Sequence, residues 1–141
     1  MRSAGAAGRF VLDTSALLTL HNDEAGSDRV AAVLLAAAEG QAEVYGCFIS
    51  LMEVLHRVWK TNGEAAGRSA YAQCLELPIV WVHESPTLLE RAASVKAVHS
   101  LSLADAWIAA TALECQATLM HKDPEFEAIA GLLEDRLPYK S

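Results

Sequence analysis

Long hydrophobic runs are missing from this chain. No stretch resembles the roughly 20 apolar residues that a membrane-crossing helix needs, so no membrane association is expected. Cysteine is sparse. Cys47, Cys74 and Cys115 are widely spaced, odd in number and without a CxxC pair. That usage excludes a disulfide framework and points to buried free thiols in a reducing cytoplasm. Positive charge is short, with 11 Lys and Arg against 18 Asp and Glu, a net charge of -7. A nucleic-acid binder usually carries a basic footprint, so this balance argues against one. The objection weakens if several acids gather in one cation-binding site, and Arg57, Lys60, Arg68, Arg91 and Lys96 could still contact phosphates. Aromatics make up only 6%, and no aromatic stacking motif names a base. Histidines 21, 56, 83, 99 and 121 show neither HxH nor HExxH spacing. There is no internal repeat and no low-complexity linker.

What is present is a sizeable apolar fraction, 52% of 141 residues, enough for the core of one domain. Residues 1–8 read as a loose arm whose apolar part is too short for a secretory signal. Residues 9–141 read as a single domain. "RFVLD" (Arg9–Asp13), "AEVYGCF" (Ala42–Phe48), "PIVWV" (Pro78–Val82) and "ATLMH" (Ala117–His121) are short apolar runs that predict buried strands. "RLPYK" (Arg136–Lys140) would add an edge strand. Helical patterns lie between them. "SDRVAAVLLAAAEG" has Ser27 as N-cap and Gly40 as its stop, and Val30, Val33, Leu34 and Ala37 form a stripe against the sheet. The other helices are expected at 14–22, 50–60, 63–76, 85–100, from 103, and from Pro124. Strands alternating with helices predict an α/β fold whose mainly parallel sheet is covered on both faces.

"LSLADAWIAATALE" (Leu101–Glu114) is apolar on nearly every side and should be buried. Asp105 shares a face with Ile108, Ala109 and Ala112, while Glu114 lies opposite and reaches water. A carboxylate on such a face must be paired, protonated or metal-bound. Three other acids stand at similar junctions. Asp13 ends the first strand, Glu53 sits in the first turn after the second, and Asp123 ends the strand "TLMHK". In a parallel α/β sheet these junctions share one edge, where ligands bind. Four carboxylates there suit a hard divalent cation such as Mg²⁺. A carboxylate-held metal pair can activate water for in-line phosphodiester displacement.

Each acid also has a structural explanation. "SLME" (Ser50–Glu53) and "SLAD" (Ser102–Asp105) fit the capping-box pattern. Glu53 could pair with Arg57 one turn on. Asp13 could cap the helix after "DTS", and Asp123 the one opening at Pro124.

"VLDTSALL", "SLMEV", "LSLADAWIAATA" and "LMHKDPEFE", in that order, resemble the PIN-domain family. Within it the chain is most similar to the small VapC-type toxins of toxin–antitoxin pairs, over nearly its whole length from Phe10. The resemblance implies a PIN-like three-layer sandwich with a central sheet of about four to five strands. It also implies a Mg²⁺- or Mn²⁺-dependent endoribonuclease acting on structured RNA, a basic antitoxin partner and a homodimer. The family's catalytic and metal-site acids fall on Asp13, Glu53, Asp105 and Asp123. Its small hydroxyl residue falls on Thr14 or Ser15, supporting the metal or its waters. Glu125 stands where some members carry a further acid. His99 and His121 lie near these segments, as accessory groups or as ordinary hydrogen-bonded histidines. Trp107 should face the core or the site wall. Two other functions compete: a non-catalytic module holding a basic peptide in its acidic cleft, and a phosphoaspartyl signalling or phosphatase domain. The latter wants an acidic pair at the first strand, whereas Asp13 is followed by Thr14.

Overall fold

The computed structural model describes residues 8–139, so nearly all of the expected N-terminal arm and the end of "RLPYK" lie outside the described residues. In chain order the elements are β1 (Arg9–Leu12), α1 (Thr14–His21), α2 (Ser27–Ala38), β2 (Glu43–Cys47), α3 (Phe48–Asn62), α4 (Glu64–Glu76), β3 (Val80–Val82), α5 (Pro86–Val98), α6 (Leu103–Cys115), β4 (Thr118–His121), a 3-10 helix (Pro124–Ala128) and β5 (Glu134–Arg136). The strands pair in the order β3-β2-β1-β4-β5, every pair parallel.

The two-residue period of the strands explains the layers. Val11 pairs with Leu119, and Leu12 with Met120. Val11 and Leu119 pack on one face with Ile108, Ala109 and Ala112 of α6 and Val95 of α5. Leu12 and Met120 pack on the other with Leu17, Val30, Leu34, Val54 and Ala70 from α1 to α4. Both faces are covered, which is why the strands read as continuous apolar runs. Val30 and Leu34 of the α2 stripe are buried, with Val33 and Ala37 packed beside them.

Several boundaries differ from the sequence reading. The last strand is Glu134–Arg136 rather than "RLPYK", because Pro138 cannot donate to a ladder. Ser27 is the first helical residue of α2, and Gly26 caps it at φ 100°. The Ser27 hydroxyl instead donates to Asp23 Oδ1 at 2.9 Å. Gly40 follows the end of α2 at φ 76°, where a side chain would be strained. Cys47 and Cys74 are buried, while Cys115 is half-buried. All three are free thiols.

The topology makes one crevice. The chain builds outward from β1 through β2 to β3, then crosses to β4 on the other flank of β1. Ligands of open α/β sheets bind at such a reversal, beyond the strand C-termini. Asp13 follows β1 and Asp123 follows β4, so these two acids flank it.

α3 and α4 pack closely through Gly67. A Cβ there would lie 2.8 Å from the Leu55 carbonyl oxygen and 2.9 Å from the Trp59 nitrogen, both backbone atoms. Overpacking against backbone costs roughly 1–3 kcal/mol, and the helix propensity of Ala returns at most about 1 kcal/mol. Gly67→Ala should therefore lower stability by roughly 1–2 kcal/mol. Urea unfolding checks this, and a stabilised variant would show that the helices are free to separate.

Candidate acidic site

Three helix starts meet at the crevice, and an acid stands at each. Asp13 caps α1, accepting from Ala16 N at 2.8 Å. Asp123 caps the 3-10 helix, its Oδ1 accepting from Glu125 N at 2.9 Å. Asp105 lies in the first turn of α6, whose N-cap Ser102 accepts from Asp105 N at 3.1 Å. The positive ends of the helices favour carboxylates here. The capping bonds of Asp13 and Asp123 use Oδ1 in each case, leaving the other oxygen to face the crevice or its neighbours. Capping and cation binding are therefore compatible rather than competing.

Glu53 arrives differently. α3 begins at Phe48, with Cys47 as N-cap and no side-chain cap bond. Ser50 and Glu53 are thus inside the helix, and the capping box expected at "SLME" does not form. The apolar Phe48 and Ile49 pack into the core beside α6, which extends the helix backward past Ser50. Freed from capping, Ser50 Oγ lies 3.0 Å from Thr14 Oγ1, and Thr14 donates to Glu53 Oε1 at 2.5 Å. Arg57 holds the other Glu53 oxygen at 3.3 Å, the helical pair expected from sequence.

The hydroxyls after Asp13 divide the work. Thr14 orients Glu53. Ser15 donates to Asp13 Oδ1 at 2.6 Å and accepts from Lys122 N at 3.0 Å. It therefore bridges the two strands that flank the reversal. Asp13 N adds a bond to Met120 O at 3.2 Å.

The carboxylates of Asp105, Asp123 and Glu125 each place an oxygen within 4.8 Å of the others. Glu125, expected only in some relatives, is part of this group. Asp13 and Glu53 stand around it. Asp13 is fully buried by the crevice wall, and the charges of Asp105 and Asp123 act on it. Asp105 in turn feels Asp123 and Glu53. Asp105 is half-buried rather than enclosed, because it sits at the rim where α6 begins. Glu114 on the far side is exposed and pairs with Arg91 at 2.8 Å.

Crowding and burial raise the proton affinities. Burial pushes Asp13 from 3.8 to about 7, against the lowering effect of its Ser15 and Ala16 bonds. Burial also raises Asp105 to about 6, followed by the charge of Asp123 and a hydrogen bond between the two carboxyls. All donors are hard carboxylate oxygens, a set that fits a divalent cation of the Mg²⁺ or Mn²⁺ kind.

His121 was not resolved from sequence. It is fully buried, and its Nδ1 accepts from Asp123 N at 3.0 Å. Its Nε2 therefore carries the proton and donates to Glu134 Oε1 at 2.9 Å. It fixes the backbone under Asp123. No short-range signal links His121 to Glu134 on β5. His99 Nδ1 lies 3.0 Å from the Val95 carbonyl at the end of α5, as an ordinary capping contact. Trp107 packs edge-on against Phe48, ring centroids 5.2 Å apart, and is a core residue.

Two outcomes follow for metal-free protein. The folded pKa values of Asp13 and Asp105 exceed the unfolded value of 3.8. Their contribution to stability is complete below about pH 4 and is lost as pH rises through about 6 to 7. Melting in EDTA should fall over that window by an amount worth a few kcal/mol, and Mg²⁺ should flatten the profile. Stability in EDTA that climbs from about pH 5 to about pH 8 contradicts it. At the upper end of that range, Asp105→Asn should melt higher than wild type in EDTA. The repulsion relieved is up to about 3 kcal/mol. The variant should also gain less from Mg²⁺. A lower melt with an undiminished Mg²⁺ gain would reduce Asp105 to a helix-start residue.

Known proteins place this geometry. The family model described as "PIN domain" matches residues 10–132. No curated protein matches. The fold is similar to VapBC2 from Rickettsia felis, solved with a DNA fragment from its promoter, at TM-score 0.76 and 18% identity over 92% of this chain and 99% of that one. It is similar to VapC20 from Mycobacterium tuberculosis, a sarcin-ricin loop cleaving toxin, at TM-score 0.66 and 23% identity over 88% and 96%. It is also similar to a toxin–antitoxin complex from Klebsiella pneumoniae at TM-score 0.60 and 24% identity over 87% and 94%. The parallel sheet, the crevice at its reversal and the match over most of the length agree, and the chain belongs to the PIN-domain family.

Proposed function

We propose that this protein is a divalent-cation-dependent endoribonuclease, the toxin of a toxin–antitoxin pair. The observation that carries the reading is the convergence of Asp13, Glu53, Asp105 and Asp123, joined by Glu125, at the sheet reversal. Repelling acids are costly to gather unless a cation offsets them. Asp105, Asp123 and Glu125 would hold the ion, with Asp13 and Glu53 orienting its water. Bound Mg²⁺ or Mn²⁺ would supply positive charge to the phosphorane-like transition state and acidify water. Ser15 keeps the Asp13 carboxylate aimed at the crevice, and Thr14 with Arg57 keeps Glu53 there. Water attacks phosphorus, the bond to the 3′ oxygen breaks, and the leaving oxygen takes a proton. The products carry 5′-phosphate and 3′-hydroxyl ends. Single-stranded or looped RNA suits the site, because its backbone can bend into a crevice.

The partner follows from charge. A basic antitoxin segment could enter the acidic crevice and compete with the cation, and the chain's net -7 would speed the encounter. α2 and α3 expose Leu35, Met52 and Trp59, apolar surface for the rest of such an interface. A homodimer belongs to the same reading.

Incubating purified protein with defined RNAs in Mg²⁺, Mn²⁺ or EDTA tests the activity. Cleavage should require the cation, and Asp13→Asn should lose roughly a hundredfold or more. Undiminished cleavage in EDTA, or 2′,3′-cyclic phosphate products, would overturn the mechanism.

A further inference from the structure

Beside the acidic site lies an open groove of about 400 Å³. Leu18 and Pro124 form its apolar part, and Asn22, Arg57, Lys122 and Tyr139 its polar wall. Three contacts join it to the acids. Ser15 lines the groove and binds Asp13, Pro124 follows Asp123, and Arg57 binds Glu53. The groove and the acidic site are therefore continuous.

We infer that the groove seats the nucleotide next to the scissile phosphate, with that nucleotide's own phosphate on Arg57 and Lys122 and its base on Tyr139. The inference rests on the ribonuclease reading and adds a subsite to it. Two cations here run against the sign of a chain with 11 cations and 18 acids. Arg57 is half-exposed and touches Glu53 through one nitrogen at 3.3 Å, so the rest of its five-donor fork faces the groove. The whole Lys122 side chain is only 6% exposed, but it lines the groove, and its Nζ is 3.5 Å from Glu24. That is longer than the 2.7–2.9 Å of a strong charge-assisted bond, so a phosphate oxygen can join or replace Glu24.

Tyr139 supplies the stacking surface that the sequence does not announce. The residue is 39% exposed. The ring lies against His121, centroids 6.3 Å apart, and its hydroxyl donates to Glu127 at 2.6 Å. The side chain is thus held in place before a base arrives. Stacking on an aromatic tolerates any base, so the subsite grips RNA without reading its sequence. Glu24 also lines the groove, and Arg57 is shared with Glu53, so the groove is nearly neutral on its own. Its hold on phosphate strengthens when a cation offsets the neighbouring acids.

The test is binding of a short fluorescein-labelled single-stranded RNA to the full chain in Ca²⁺, followed by anisotropy over a salt series. Steady-state cleavage in Mg²⁺ runs alongside. Arg57→Gln and Lys122→Gln should each weaken binding about tenfold and lower the salt slope by about 0.7. Tyr139→Leu should weaken binding about tenfold, while Tyr139→Phe, which keeps the ring and loses the Glu127 bond, should bind as wild type. Arg91→Gln removes the same charge from α5 on the opposite face and should change nothing. Mn²⁺ affinity, read by calorimetry, should be unchanged in Lys122→Gln and Tyr139→Leu, and the cleavage defect should lie in KM. Groove variants that bind RNA like Arg91→Gln overturn the subsite, as does a Tyr139→Phe loss equal to that of Tyr139→Leu. If wild type binds RNA through the groove but cleaves none in Mg²⁺, the subsite stands and the ribonuclease reading falls. Cleavage by wild type with normal KM in every groove variant does the reverse.

Discussion

Mutual repulsion among carboxylates is the constraint on which this structure turns. Burial raises the proton affinities of Asp13 and Asp105, and the charges of the neighbouring acids add to it. A chain left to relax would swing such groups apart into water. Here they cannot move, because each stands on an element start whose backbone the sheet and core hold. The N–H groups of those starts supply the first compensation. Protons supply the second, and a cation would supply the third.

Holding the acids still takes a polar scaffold behind them. Ser15 spans the reversal from Asp13 to Lys122. Thr14 and Ser50 tie α1 to α3. His121 takes the Asp123 N–H on one side and gives its own proton to Glu134 on the other. Glu134 is held in turn by Arg136, and its pKa is lowered by these partners against the effect of burial. Buried polar groups of this kind are stable only when each is satisfied.

The α/β class, the parallel sheet and the four acids were legible from local pattern. Short apolar runs ending in Asp mark strand ends, and "SLAD" marks a helix start. The resemblance of four ordered motifs carried the family. What local pattern could not show was set by distant contacts. The start of α3 depends on Phe48 and Ile49 finding α6, which outweighs the capping chemistry of Ser50. The partner of His121 lies 13 residues on, in a strand of three residues whose sequence, "EDR", has no strand character. β5 forms because the sheet edge of β4 offers it hydrogen bonds.

That edge strand has a consequence for the order of assembly. Glu134 accepts from His121, and Leu137 N bonds to the His121 carbonyl at 2.9 Å. A nascent chain translated only as far as Ala130 already holds every acid of the crevice. It lacks the groups that set His121 and, through it, the backbone of Asp123. Synthesis therefore delivers the acidic residues before it delivers the groups that align Asp123.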